Sequence, residues 1–242
     1  MGASSPVARR LLKIKQTLRL RTRTLEYARF ARRRLHWKFR QKFIKTRLGI
    51  EPVRNFLIDR KYGGWCGGKF RTRFGHTGAH GTSSADYYQL RKLFCAENGI
   101  AITPSDVLVD IGCGRGRVLN WWLSLELGNR IIGIELDDRF ASEAAQRLKP
   151  YPNVTVISGD AVQNMPADAT IFHVFNSFND QIMEPFKERL YALYKDRGNV
   201  TVVYQFCQYL SLWENDPRWV VEPVRTKTFY KSVIIRMRKE VS

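Results

Sequence analysis

The stretch Val107-Leu108-Val109-Asp110-Ile111-Gly112-Cys113-Gly114-Arg115-Gly116 decides how this chain folds. A short apolar run, β-branched at three of five positions, ends in a bend where three glycines alternate with other residues. Glycine suits such a bend because the backbone must turn tightly and let a ligand approach with no Cβ in the way. A helical pattern, RVLNWWLSLEL, follows at once, and then a second apolar run, RIIGIEL. Strand, glycine bend, helix and strand make a βαβ unit. Glu135 ends the second strand 23 residues after Gly112, close to the spacing at which a carboxylate meets ribose hydroxyls in such units.

Outward from this unit the alternation continues with DRFASEAAQRLK as a helix and VTVISGD as a strand. ATIFHVFNS, a helix near 180–195 and NVTVVYQF come next, and WVVEPVRTKTF and KSVIIRMRK close the chain as two strand-like runs. The expected fold is α/β: a Rossmann-like, seven-stranded, mostly parallel sheet with a C-terminal antiparallel hairpin. Upstream, residues 85–98 read as a helix. Glycine clusters at 63–68 and in Gly75-His76-Thr77-Gly78-Ala79-His80-Gly81 read as flexible junctions.

The charge is lopsided. Residues 1–75 hold 22 Lys/Arg against Glu26, Glu51 and Asp59, which leaves +19, the whole formal charge of the chain. Residues 8–48 lack Pro and Gly and set Leu and aromatic residues among the bases, so they read as a basic amphipathic helix. The expected division is therefore a basic helical arm and Gly-rich junction over 1–75, and a neutral catalytic domain over 76–242. A polycationic arm calls for an anionic partner, a membrane surface or a nucleic acid, and composition does not choose between them. The four cysteines form no C-x-x-C pair and read as free thiols of a reducing compartment. No apolar run approaches the roughly 18 residues of a membrane span. The expected location is cytoplasmic, peripheral to the inner membrane, with the mitochondrial matrix as the alternative for an Arg-rich start.

The loop reads D-x-G-x-G-x-G, with the acid ahead of the first glycine, and not the G-x-G-x-x-G of dinucleotide folds. In this it resembles the class I methyltransferases that use S-adenosyl-L-methionine, over roughly residues 82–240. The resemblance implies that Asp110, Gly112, Cys113, Gly114 and Gly116 hold the cofactor, with Glu135 on its ribose and Asp160 and Ala161 at its adenine. Thr82 and Tyr87 match a segment that related enzymes fold over the methionine end. A cofactor carrying an ammonium and a sulfonium suits carboxylates and open backbone better than it suits a phosphate cradle.

On the acceptor side, Asn176-Ser177-Phe178 resembles the Asn-Pro-Pro-aromatic motif of amino-group methyltransferases with both prolines missing. It is nearer to an Asn-Pro-Phe-like version in bacterial relatives, some of which modify glycans or lipid-linked sugars. Asn176 is thus the candidate catalytic residue. His173 reads as a core histidine, and His76, His80 and Cys66 do not make a metal site among so many glycines. The expected activity is methyl transfer to a glycan or lipid-linked acceptor at a membrane. The alternatives are an RNA or protein amino-group acceptor, with the arm on phosphates, and a non-catalytic cofactor-binding scaffold.

Overall fold

A computed structural model describes residues 51–238, and the helix expected over 8–48 lies outside them. The chain divides into two compact units, Met1–Pro52 and Val53–Ser242. The second unit holds the sheet.

Helix α1 (Glu51–Lys61) leads into a small antiparallel pair, β1 (Lys69–Phe70) and β2 (Thr82–Ser83), separated by a 3₁₀ turn at Gly75–Thr77. Helix α2 (Tyr87–Leu93) follows, capped by the Asp86 side chain on the Tyr88 amide. The Rossmann-like body then runs β3 (Val107–Ile111), α3 (Arg117–Leu123), β4 (Arg130–Glu135), α4 (Asp138–Leu148) and β5 (Val154–Ser158). It continues with β6 (Ile171–Phe175), α5 (Asp180–Tyr194), β7 (Thr201–Gln205), the short α6 (Ser211–Glu214), β8 (Trp219–Pro223) and β9 (Ser232–Met237).

The seven strands lie in the order β5-β4-β3-β6-β7-β9-β8. Five are parallel, while β9 runs antiparallel to both β7 and β8, giving the expected C-terminal hairpin. Central strands covered on both faces read as continuous apolar runs, which is why VLVDI and IFHVF hardly alternate. Val109, Ile132 and Phe172 face one core with Met183, Phe186 and Leu190 of α5. Leu108, Ile131 and Ile171 face the other with Tyr87 and Leu90 of α2 and Trp121 and Trp122 of α3. Each such fully buried aliphatic side chain contributes about 1.5–3 kcal/mol of transfer free energy.

Strand order reverses at β3, which pairs with β4 on one side and β6 on the other. A sheet opens a crevice beyond the carboxyl ends of its strands at such a point, so topology alone puts a ligand site after Ile111 and Phe175.

Residues 53–75 are tied into this body. Asp59 of α1 is fully buried, pairs with Arg117 of α3 at 2.5 Å, and accepts from the Tyr87 hydroxyl at 2.7 Å and the Cys66 amide at 3.1 Å. Arg117 also lies against the Trp65 and Tyr87 rings. The segment joined to the arm by its charge is thus anchored through one buried acid.

Candidate active site

The cleft lies at the switch point. Asp110, Gly112, Cys113, Glu135, Asp160, Ala161, His173 and Asn176 all line it, with residues of the 72–85 segment closing one side.

Its floor is built from the glycine bend. Gly112, Gly114 and Gly116 have φ of +71°, +53° and +78°, a left-handed conformation that side chains resist. At Gly112 space is short as well, because an added Cβ would come within 2.9 Å of Ser177 Oγ. Gly116 is the N-cap of α3, which starts with no side chain capping its first turn.

Asp110 is buried, and its Oδ1 lies 2.8 Å from His173 Nδ1. The second ring nitrogen of His173 lies 3.2 Å from Gln205 Oε1, and the residue is fully buried. With both nitrogens engaged, His173 positions Asp110 and is not set up to move a proton to or from an acceptor. Burial pushes the Asp110 carboxyl above its usual range, and the His173 hydrogen bond works against that rise.

Glu135 accepts from the Gly114 amide at 2.7 Å through Oε2 and from the Asp137 amide at 2.9 Å through Oε1. Its carboxylate therefore holds the glycine bend against the N-terminus of α4. A carboxylate offers about four acceptor positions, so two remain for other donors in the cleft. Burial raises this group too, opposed by the two amide hydrogen bonds. Asp160 Oδ1 accepts from the Val162 and Gln163 amides, fixing the turn that carries Ala161. Burial also pushes the Cys113 thiol well up, so Cys113 stays protonated and fills space rather than acting as a nucleophile.

The acceptor side is less complete. Asn176 follows β6 with φ +46°, a conformation asparagine tolerates better than most residues. Its carbonyl accepts from His80 Nδ1 at 2.8 Å, and the Ser177 carbonyl accepts from the His80 amide at 2.9 Å. Ser177 Oγ donates to the Ile111 carbonyl at 2.6 Å, fastening the motif to β3. Asn176 Oδ1 is buried with no hydrogen-bond partner among the described residues. The Asn176 and Ser177 carbonyls are thus both occupied by His80, while Asn176 Oδ1 is not paired. Phe178 touches the cleft but is 6% exposed and packs on Phe186 at 5.4 Å between ring centres. Phe175, the last residue of β6, also lines the cleft and makes a tilted contact with Tyr230.

Thr82 is the first residue of β2. Three expected residues, Gly114, Gly116 and Tyr87, are not in the lining; the two glycines shape the bend. Tyr87 is fully buried behind the cleft with its hydroxyl on Asp59, and burial drives that phenol far above its usual range. His80 is the residue that sequence reasoning did not connect to the acceptor motif, since its partner lies 96 positions away. Among the described residues no group of three or more His, Cys, Asp or Glu could hold a metal, and no helix is long and apolar enough to cross a membrane.

Residues 108–198 match a family model described as a methyltransferase domain. The chain is 32% identical over 108 residues to the ribosomal RNA small subunit methyltransferase A of Thermotoga maritima, a match covering 40% of this chain and 37% of that one. It is 33% identical over 67 residues to the protein of the same name from Dehalococcoides mccartyi, covering 28% and 22%. The chain thus spans less than half the length of these curated relatives. Among solved structures, mitomycin 7-O-methyltransferase aligns with 15% identity and a TM-score of 0.49, covering 63% of this chain and 54% of that one. An RNA methyltransferase from Salinibacter ruber in complex with S-adenosyl-L-homocysteine aligns with 18% identity and a TM-score of 0.45, covering 66% and 97%. With the strand order and the glycine bend, the family match identifies residues 108–198 as part of a Rossmann-like methyltransferase domain of the class that uses S-adenosylmethionine.

Proposed function

We propose that this protein transfers a methyl group from S-adenosylmethionine to a base nitrogen of RNA. The observation that carries the reading is Asn176 Oδ1, a buried acceptor left without a partner at the cleft. Seven buried side-chain polar atoms lack a partner among the described residues, and of these Asn176 Oδ1 belongs to the residue that lines the cleft; leaving it unpaired costs about 1–3 kcal/mol, which an N–H donor on the acceptor molecule relieves. The curated relatives are named for ribosomal RNA, and the first third of the chain carries the whole +19 charge, as phosphate binding requires. A glycan or lipid-linked acceptor at a membrane shares the support of the basic arm but otherwise rests on the three-residue motif likeness, whereas the names of the curated relatives favour RNA.

The residues fit the cofactor. Gly112 lets the bend turn tightly against Ser177 in the cleft floor, Asp110 offers a buried carboxylate to an ammonium, and Glu135 keeps acceptor positions for ribose hydroxyls. When bound, S-adenosylmethionine supplies an electrophilic methyl carbon. Asn176 Oδ1 then orients the acceptor nitrogen by taking its N–H, which contributes mainly alignment. With the cofactor bound, its methyl group would pass to that nitrogen as the methyl–sulfur bond breaks and S-adenosylhomocysteine leaves, and the nitrogen's proton would go to water, so no role as a base falls to His173 or Cys113. His80 holds the Asn176 backbone so that Oδ1 keeps its direction.

The test is to incubate the full chain with methyl-labelled S-adenosylmethionine and separate RNA, protein and lipid extracts. Label in RNA, released by nuclease as an N-methylated nucleoside, is expected. Label confined to the lipid or glycan fraction would overturn the reading in favour of a membrane acceptor.

A further inference from the structure

We propose that the loop between β8 and β9, with α2, forms a stacking platform for a single-stranded segment of RNA at the mouth of the cleft. The proposal rests on RNA being the acceptor and says which form of it is bound.

Residues 224–231 are exposed in a way their backbone does not require. The loop is pinned: the Arg225 amide donates to Asn98 Oδ1 at 2.8 Å, the Phe229 amide to Gln89 Oε1 at 2.7 Å, and Thr226 Oγ1 to the Lys92 carbonyl. Thr228 Oγ1 donates to the Tyr230 carbonyl at 2.7 Å. A loop anchored this firmly has no need of large apolar groups on its solvent side, yet Phe229 and Tyr230 are 44% and 37% exposed.

The rings form a series of two groups, joined by the adjacent residues Phe229 and Tyr230. Phe175, in the cleft lining, makes a tilted contact with Tyr230 at 5.5 Å between ring centres and Tyr230 with Phe206 at 4.9 Å, while Phe229 meets Tyr88 of α2 at 6.2 Å. The guanidinium of Arg91 lies over the Tyr88 ring at 6.0 Å. Arg225, Lys227 and Lys231 are exposed in the same loop, which contains no acid. Adding Arg91 and Lys92 of α2 gives five cations among the rings.

Aromatic faces interleaved with cations and without acids match unpaired bases on a phosphate backbone. A duplex hides its base faces, so these rings could not stack on it, whereas splayed-out bases reach them. The series begins at Phe175, which follows the direction of β6 toward Asn176, so a strand lying on the platform would deliver one base to Oδ1.

The experiment is fluorescence anisotropy of the full chain with a short labelled oligouridylate and with a duplex RNA of equal length. Single-strand preference is expected in the wild type. Phe229→Ala with Tyr230→Ala should weaken single-strand binding about tenfold or more per ring and leave duplex binding unchanged, while Tyr230→Phe keeps the affinity. Cofactor affinity, read by calorimetry on the same variants, should not move and reports that they are folded. Equal single-strand affinity in the wild type and the double variant would overturn the platform even if RNA is methylated. Loss of binding to phosphatidylglycerol vesicles with RNA binding intact would overturn it in favour of a membrane. Single-strand binding that depends on the rings, without any methylated nucleoside, would instead leave the platform standing and remove the acceptor assignment.

Discussion

The two halves of the cleft are built on opposite plans. On the cofactor side nearly every polar group is engaged: Asp110 with His173, Glu135 with two backbone amides, Asp160 with two more. On the acceptor side Asn176 sits in the left-handed region with a bare side-chain oxygen, and the nearby rings stand half in solvent. A prebuilt pocket suits a ligand that is always the same. Unspent hydrogen-bonding capacity and exposed rings suit a large partner that completes the site only on arrival.

The contrast can be broken in four places. Asp59→Ala should have the largest effect, because it leaves Arg117 buried without its partner behind the cofactor side; a loss of about 3–5 kcal/mol in urea denaturation is expected. A loss below about 1 kcal/mol would show that the prebuilt half does not depend on α1. Asn176→Ala should lower kcat about 100-fold, equivalent to ~2.7 kcal/mol, with cofactor affinity unchanged. A fall in cofactor affinity of the same size would erase the distinction between the halves. Gly112→Ala should show the reverse pattern: strain of about 1–2 kcal/mol at φ +71° and a contact with Ser177 should weaken the cofactor roughly tenfold. The smallest effect at neutral pH is titration of the floor. Burial raises both Asp110 and Glu135, and protonation removes the charge that attracts the ligand's ammonium and strengthens the hydrogen bonds from its hydroxyls. Cofactor affinity should therefore hold at neutral pH and begin to fall, on acidification, above the usual carboxylate range of about 4. Calorimetry across that range checks it, and a constant affinity down to the usual range would contradict it.

Much of the cofactor side was legible because its signals are local. Asp110 and three glycines sit within seven residues, and Glu135 ends the very next strand. Fully covered parallel strands likewise announce themselves as apolar runs. The acceptor side depends on contacts that no spacing encodes, such as His80 to Asn176 across 96 positions and Arg117 to Asp59 across 58. Residues 85–98 read as one helix but are interrupted: α2 ends at Leu93, and a separate turn, Ala96–Asn98, follows. Asn98 of that turn holds the β8–β9 loop through the Arg225 amide. The run WVVEPVRTKTF likewise stops being strand at Pro223, which has no N–H to continue a ladder, and its remainder turns to α2. Residues 51–61 were read with the arm because charge is a composition signal, whereas Asp59 reveals its role only through what surrounds it.

What occupies the bend after β3 decides the function of the cleft. A crystal structure of the full chain with S-adenosylhomocysteine should show ribose hydroxyls on Glu135, the ammonium by Asp110, and the sulfur facing Asn176. Density for that ligand anywhere else, or a Glu135 carboxylate still bonded only to its two amides, would contradict it.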